Sequence, residues 1–132
     1  MDQFTGWTFR SFVSGGERSA VKQWYDQQDA EVKAEFDATI EYLQPLPPAK
    51  WDRPYIGILG EDCFGLWEIR FKVNKVQYRP LGCYGPLRYE FTILFFATER
   101  DRKLYPPHAC KIALARKKLV MANRSHSCEF ST

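Results

Sequence analysis

Four residues carry the chemistry most open to reading in this 132-residue sequence: Arg70, Lys72, Gln77 and Arg79. They lie in "LWEIRFKVNKVQYRPLG", residues 66–82, which reads as two strands joined at Asn74-Lys75. A two-residue loop there sets Val73 opposite Val76, Lys72 opposite Gln77, Phe71 opposite Tyr78, and Arg70 opposite Arg79. Like charges directly across a hairpin cost stability. An anion shared by the two arginines would remove that cost, because a guanidinium offers paired N–H donors that match phosphate oxygens. The other solution is that both arginines splay into water and neighbour Glu68 or Glu90. On the anion reading, Arg70→Ala and Arg79→Ala remove activity with little loss of stability.

The charge distribution points the same way. Residues 1–69 hold six Lys/Arg against twelve Asp/Glu, and residues 70–132 hold thirteen against four. A basic half of this kind suggests a surface that faces a polyanion. The cysteines, at 63, 83, 110 and 128, form no CxxC and follow no export signal, so they read as reduced thiols. His108/Cys110 and His126/Cys128 lack zinc-ligand spacing, so no metal is expected. No apolar run approaches the roughly 18 residues of a membrane span, and the expected setting is soluble and cytoplasmic.

These residues need elements to position them. The expected order is β-α-α-β-β-β-α. A short strand at 7–13 precedes a break at "SGGE", a helix over 17–28, and a second helix over 30–43 capped by Asp29. The prolines of "QPLPPAKWDRP" (44–54) require an extended connector. Strands follow at about 66–73 and 76–84, the latter interrupted by Pro80, and "YEFTILFFA" (89–97) is apolar enough to be central. A charged loop, "TERDRKLYPP", leads to a basic helix over about 107–122 and a polar tail over 123–132, expected to fray. The expected fold is a single α+β domain over 1–132: a small antiparallel (mixed) sheet with an N-terminal helical hairpin and a C-terminal helix. The helices cover the face bearing Trp67, Ile69 and Phe71. Arg70, Lys72, Gln77 and Arg79 then line an uncovered face suited to a phosphate backbone.

Over about residues 5–122 the chain resembles the RelE/ParE superfamily of bacterial toxins, most of all its HigB branch with the phage-derived members. The resemblance rests on "GLWEIRFK", "YRPLGCYGPLRYEFTILFFA", the charged loop with its proline, and the basic helix. It implies a RelE-like fold and a toxin of a type II toxin–antitoxin system: an mRNA interferase, or endoribonuclease, that inhibits translation. Such toxins cut the codon in the ribosomal A site without metal or cofactor, the 2′-hydroxyl attacking the adjacent phosphate to leave a 2′,3′-cyclic phosphate. That chemistry needs a base, charge stabilisation and an acid.

The resemblance assigns Arg70 and Arg79 to the phosphate. The family's paired lysines before the proline are absent from "ATERDRKLYPP", where Arg100, Arg102 and Lys103 supply charge instead. His108 offers an imidazole for acid–base work near the charged loop, or is a surface histidine at a helix start. Tyr105 is a base-stacking platform or proton donor, or an anchor for its loop. The catalytic set is thus Arg70, Arg79, Arg100, Lys103 and His108. RNA or ribosome contacts fall to Lys72, Lys75, Gln77, Arg88, Arg102, Tyr105, Lys111, Lys117 and Lys118. The implied partners are the ribosome, mRNA and a cognate antitoxin of the helix-turn-helix, HigA-like kind, with no membrane. Two other readings stay open: a ParE-like DNA gyrase inhibitor, and a non-catalytic binding module.

Overall fold

The computed structural model describes residues 3–130. Strand β1 (Thr8–Phe12) leads to helices α1 (Ala20–Asp26) and α2 (Ala30–Leu43). Ser19 caps α1, its hydroxyl accepting from Lys22 N, and Asp29 caps α2 as expected, its carboxylate accepting from Val32 N. Strands β2 (Ile56–Ile58), β3 (Trp67–Ile69), β4 (Phe71–Val73), β5 (Val76–Tyr84), β6 (Glu90–Arg100) and β7 (Lys103–Tyr105) follow. Helix α3 (Ala109–Ala122) and strand β8 (Ser127–Glu129) complete the described chain.

The small RelE-like sheet expected from the sequence is corrected here. All eight strands join one mixed sheet, ordered β2-β3-β5-β6-β1-β8, with β4 also on β5 and β7 also on β6. β1 runs parallel to β6, whereas the other pairs are antiparallel. The extra strands have local causes. Asp101 and Arg102 both take positive φ, 50° and 66°, so the supposed charged loop is a tight turn that folds β7 back onto β6. Within the described residues the polar tail is not frayed, since Ser127, Cys128 and Glu129 pair with β1, and positions 131–132 of that tail lie outside the described residues.

The Asn74-Lys75 turn forms as expected, with φ of 48° and 71°, and Phe71, Lys72 and Val73 pair with Tyr78, Gln77 and Val76. β5 runs through Pro80, contrary to expectation, because its pairing with β6 continues there (Pro80↔Phe96). The break appears on the other side. The β3–β5 ladder stops at Glu68↔Leu81 and the β4–β5 ladder resumes at Phe71↔Tyr78 in the same register. Proline brings no N–H to the intervening pair. Further along, β5 and β6 shift register between Leu81 and Gly82. Only glycine fits that shift, since a Cβ on Gly82 would sit 2.6 Å from Thr92 O and 2.5 Å from the Phe91 ring.

Helices cover both sheet faces. On one, α1 and α2 bury Val21, Val32, Phe36 and Leu43 with Phe9, Ile69, Phe71, Phe91 and Ile93, and Trp24 stacks on Phe96 at 4.1 Å. Trp51, in the proline-rich connector, is locked in by stacking on Trp7 at 4.2 Å and by donating to Leu43 O. On the other face, α3 packs Ala109, Ala113 and Val120 over Leu81, Leu94 and Ala97. The face read as uncovered is therefore covered along much of its length. A disulfide between Cys63 and Cys110 fastens the start of α3 to the turn before β3, correcting the reduced-thiol reading of those two residues. Cys83 and Cys128 are free.

Candidate functional site

Beyond the start of α3, the β4–β5 end of the sheet forms an open groove of about 470 Å³. Arg70, Lys72, Gln77 and Arg79 line it, as do Glu35 and Thr39 of α2 and Tyr55 of the connector. Lys72 and Gln77 are cross-strand partners, so their side chains share a face. Lys72 is exposed, and Arg70 is partly buried with its guanidinium packed over Gly57.

The two arginines do not splay. Arg70 Nε donates to Glu68 Oε2 at 2.6 Å, and Arg79 Nε lies 3.6 Å from the same oxygen and 3.5 Å from Glu99 Oε1. Arg79 Nη1 and Nη2 donate to Tyr78 O and the Gln77 side-chain oxygen, and its Nε makes no hydrogen bond. Arg79 is 7% exposed and Glu68 3%. A carboxylate thus occupies the place between the arginines: Glu68 is the neighbour named in the alternative to an external anion, without the splaying into water. Arg79 is committed to internal partners. Arg70 and Lys72 remain the cations able to meet a ligand in the groove.

The expected catalytic set is not brought together. Thr98 pairs with Tyr105 and Arg100 with Lys103. By strand alternation these side chains project on the face of Phe96 and the helical hairpin, opposite that of Arg79 and Glu99. Arg100 stacks over the Tyr105 ring at 4.2 Å, and Tyr105 is exposed rather than anchored in the core. His108 is an exposed residue at the start of α3 with no capping bond. Lys75 and Arg102 occupy the tips of the two hairpins. Arg88 sits over Tyr89 in the turn at the far end of β5 and β6. On α3, Lys111 and Lys118 are exposed, whereas Lys117 donates to Gly65 O. Cys110, in a disulfide, is not available to pair with His108 as a metal ligand.

Sequence reasoning missed Glu35, Thr39 and Tyr55 in the groove. They come from elements distant in the chain, and only the packing of α2 against β4 brings them near. Glu68 was visible as a neighbour of Arg70. The other named neighbour, Glu90, serves elsewhere. It takes both Arg124 nitrogens at 2.7 and 2.9 Å, lies 3.6 Å from Arg10, and holds the β8 end in place. The Arg124 hydrogen bond depresses the Glu90 pKa below its usual 4.5 against the opposing effect of burial.

No family model, curated protein or solved structure matches this chain.

Proposed function

We propose that this protein is the toxin of a type II toxin–antitoxin system, an mRNA endonuclease that acts on the ribosome, in the cytoplasm, and binds RNA in the groove between α2 and the β4–β5 hairpin. The observation that carries this reading is that Arg70, Lys72 and Gln77 converge in one open groove. The resemblance of "GLWEIRFK" and "YRPLG" supplies the reaction. In that reaction the 2′-oxygen bonds to phosphorus, the P–O5′ bond breaks, and a proton passes to the 5′-oxygen. Arg70 and Lys72 hold the phosphate and its growing charge. Glu35 is the carboxylate lining the groove that takes the 2′-hydroxyl proton, and the exposed Tyr55 ring offers a base-stacking surface. Arg79 positions Gln77 and Glu68 rather than touching RNA. The cognate antitoxin, of the helix-turn-helix type, silences the toxin.

A second reading, a binding module without nuclease activity, is favoured by one observation: Arg79 is neutralised by Glu68 and Glu99. The experiment is induced expression in bacteria of the wild type, Arg70→Ala/Lys72→Ala and Glu35→Gln, with mRNA 5′ ends mapped shortly afterwards. In-frame cuts in translated messages that vanish in both variants support the nuclease. Arrest with intact mRNA moves the weight to a gyrase-type or other inhibitor, and no arrest moves it to the binding module.

A further inference from the structure

Away from the groove, a cavity of about 250 Å³ opens between α1, β6 and α3. Phe12, Phe95, Phe96 and Trp24 form its apolar walls, and Arg116 and Glu17 supply two opposite charges. Arg116 is not a mobile surface residue. Its guanidinium lies 4.7 Å from the Phe12 ring centre and 5.6 Å from that of Phe95, and Nη1 donates to Leu94 O. Its other N–H donors have no hydrogen-bond partner among the described residues. Burial weakens its hold on its proton, and the charge of Glu17 works against that. Yet Glu17 and Arg116 make no ion pair. The other charged residue of the lining, Arg18, is already held by Asp26 at 2.8 Å.

We infer that this cavity binds a small zwitterion with an apolar body, of the class of a free α-amino acid with an aromatic or branched side chain. A carboxylate meets the fixed Arg116 fork, the pairing in which a guanidinium is strongest. An ammonium group meets Glu17, and the apolar body lies against the aromatic walls. A simple anion would satisfy Arg116 but face the Glu17 carboxylate, and a simple cation would meet the reverse. The volume falls below the roughly 300–1,000 Å³ of sites for drug-sized ligands, which limits the ligand to about one ring with its charged groups. The inference is independent of the RNA reading, since the cavity shares no lining residue with the groove.

The test is calorimetric titration of the full chain with L-phenylalanine, 3-phenylpropionate, which lacks the ammonium, and phenethylamine, which lacks the carboxylate. L-Phenylalanine is expected to saturate one site and quench Trp24, and each truncated probe to bind about tenfold more weakly. Glu17→Gln is expected to erase the preference over 3-phenylpropionate, and Ala20→Leu, which narrows the cavity, to abolish binding in a protein that melts as the wild type does. No saturable heat with L-phenylalanine, equal affinity for 3-phenylpropionate, or unchanged binding in Glu17→Gln overturns the inference. Should Ala20→Leu fail to fold, the probe series and Glu17→Gln decide alone.

Discussion

Arg70 and Arg79 stand opposite one another where the β3–β5 and β4–β5 ladders break, and they share one oxygen of Glu68, 2.6 Å from Arg70 and 3.6 Å from Arg79. The break has its own physical sense. Pro80 withholds a ladder N–H from Ile69 opposite it, while on the other edge of the strand the Arg70 N–H donates to Tyr55 O and extends the β2–β3 ladder. That bond ties the connector, and with it the Tyr55 ring, to the groove. Like charge across the hairpin is therefore turned into a buried Arg–Glu–Arg cluster with Glu99 at its edge.

Such a cluster makes the two arginines unequal, against the expectation that both substitutions leave stability intact. Removing Arg79 strands Glu68 at 3% exposure with Arg70 alone. Breaking a buried ion pair from one side costs about 3–5 kcal/mol, so Arg79→Ala is expected to lose about 3 kcal/mol in urea unfolding. Arg70 is more exposed, but its Nε holds the hydrogen bond to Glu68, and a buried acceptor left unsatisfied costs about 1–3 kcal/mol, so Arg70→Ala is expected to lose about 2 kcal/mol. Equal losses would mean that Glu68 does not discriminate between them.

RNA binding provides the second check. Phosphate contacts set the salt dependence of affinity, and losing one lowers the slope of log K against log salt by about 1. Binding of a short single-stranded RNA is expected to show that change for Arg70→Ala and again for Lys72→Ala. Arg100→Ala and Tyr105→Ala, on the opposite face, are expected to leave the slope unchanged. A reversed pattern would move the RNA surface to the β6–β7 hairpin.

How much of this was legible in the sequence follows from the range of each interaction. The α2 boundaries and the Asn74-Lys75 hairpin register were readable because caps, turns and period-two alternation are local. Strand β7 escaped because Asp-Arg is not among the residue pairs that advertise a left-handed two-residue turn. β8 escaped because a three-residue strand gains its identity from Arg10 and Glu90, far away in the chain. The groove was half legible. Its β4–β5 side lies within one hairpin, whereas Glu35 and Tyr55 arrive by packing. The Cys63–Cys110 bridge had no signal, since spacing names no partner.

That bridge yields a third prediction. It closes a loop with a sequence separation of 47, for which the chain-entropy account gives about 4 kcal/mol and measured cases commonly give 2–4. Cys63→Ser/Cys110→Ser, or the wild type in strong reductant, is expected to melt roughly 10 °C lower. Free-thiol chemistry adds a control. Burial pushes the Cys83 thiol up to about 11, so at pH 8 it stays protonated and inaccessible. Alkylation of the native protein is expected to spare Cys83 and to label Cys128 first, with Cys63 and Cys110 reacting only after reduction.

The last prediction concerns acid. Glu90 holds its proton less tightly in the folded chain than in the unfolded one, because Arg124 hydrogen-bonds its carboxylate. A depressed folded pKa contributes stability that is fully present above the unfolded value near 4.5 and is lost as pH falls through the folded value. Asp26 shifts in the same direction but lies at the surface, so its ion pairs with Lys22 and Arg18 contribute little. Glu90→Gln is expected to cost about 3 kcal/mol at pH 7, because it leaves Arg10 buried at 7% without its nearest carboxylate. The same substitution should cost progressively less as pH drops below 4.5, where the wild-type carboxylate itself becomes neutral. Urea midpoints of both proteins from pH 7 to pH 3 measure this directly. Curves that stay parallel across that range would show that the Arg10–Glu90–Arg124 contact does not stabilise the β1–β8 edge through charge, and that hydrogen bonding of Arg10 to Ser127 holds it instead.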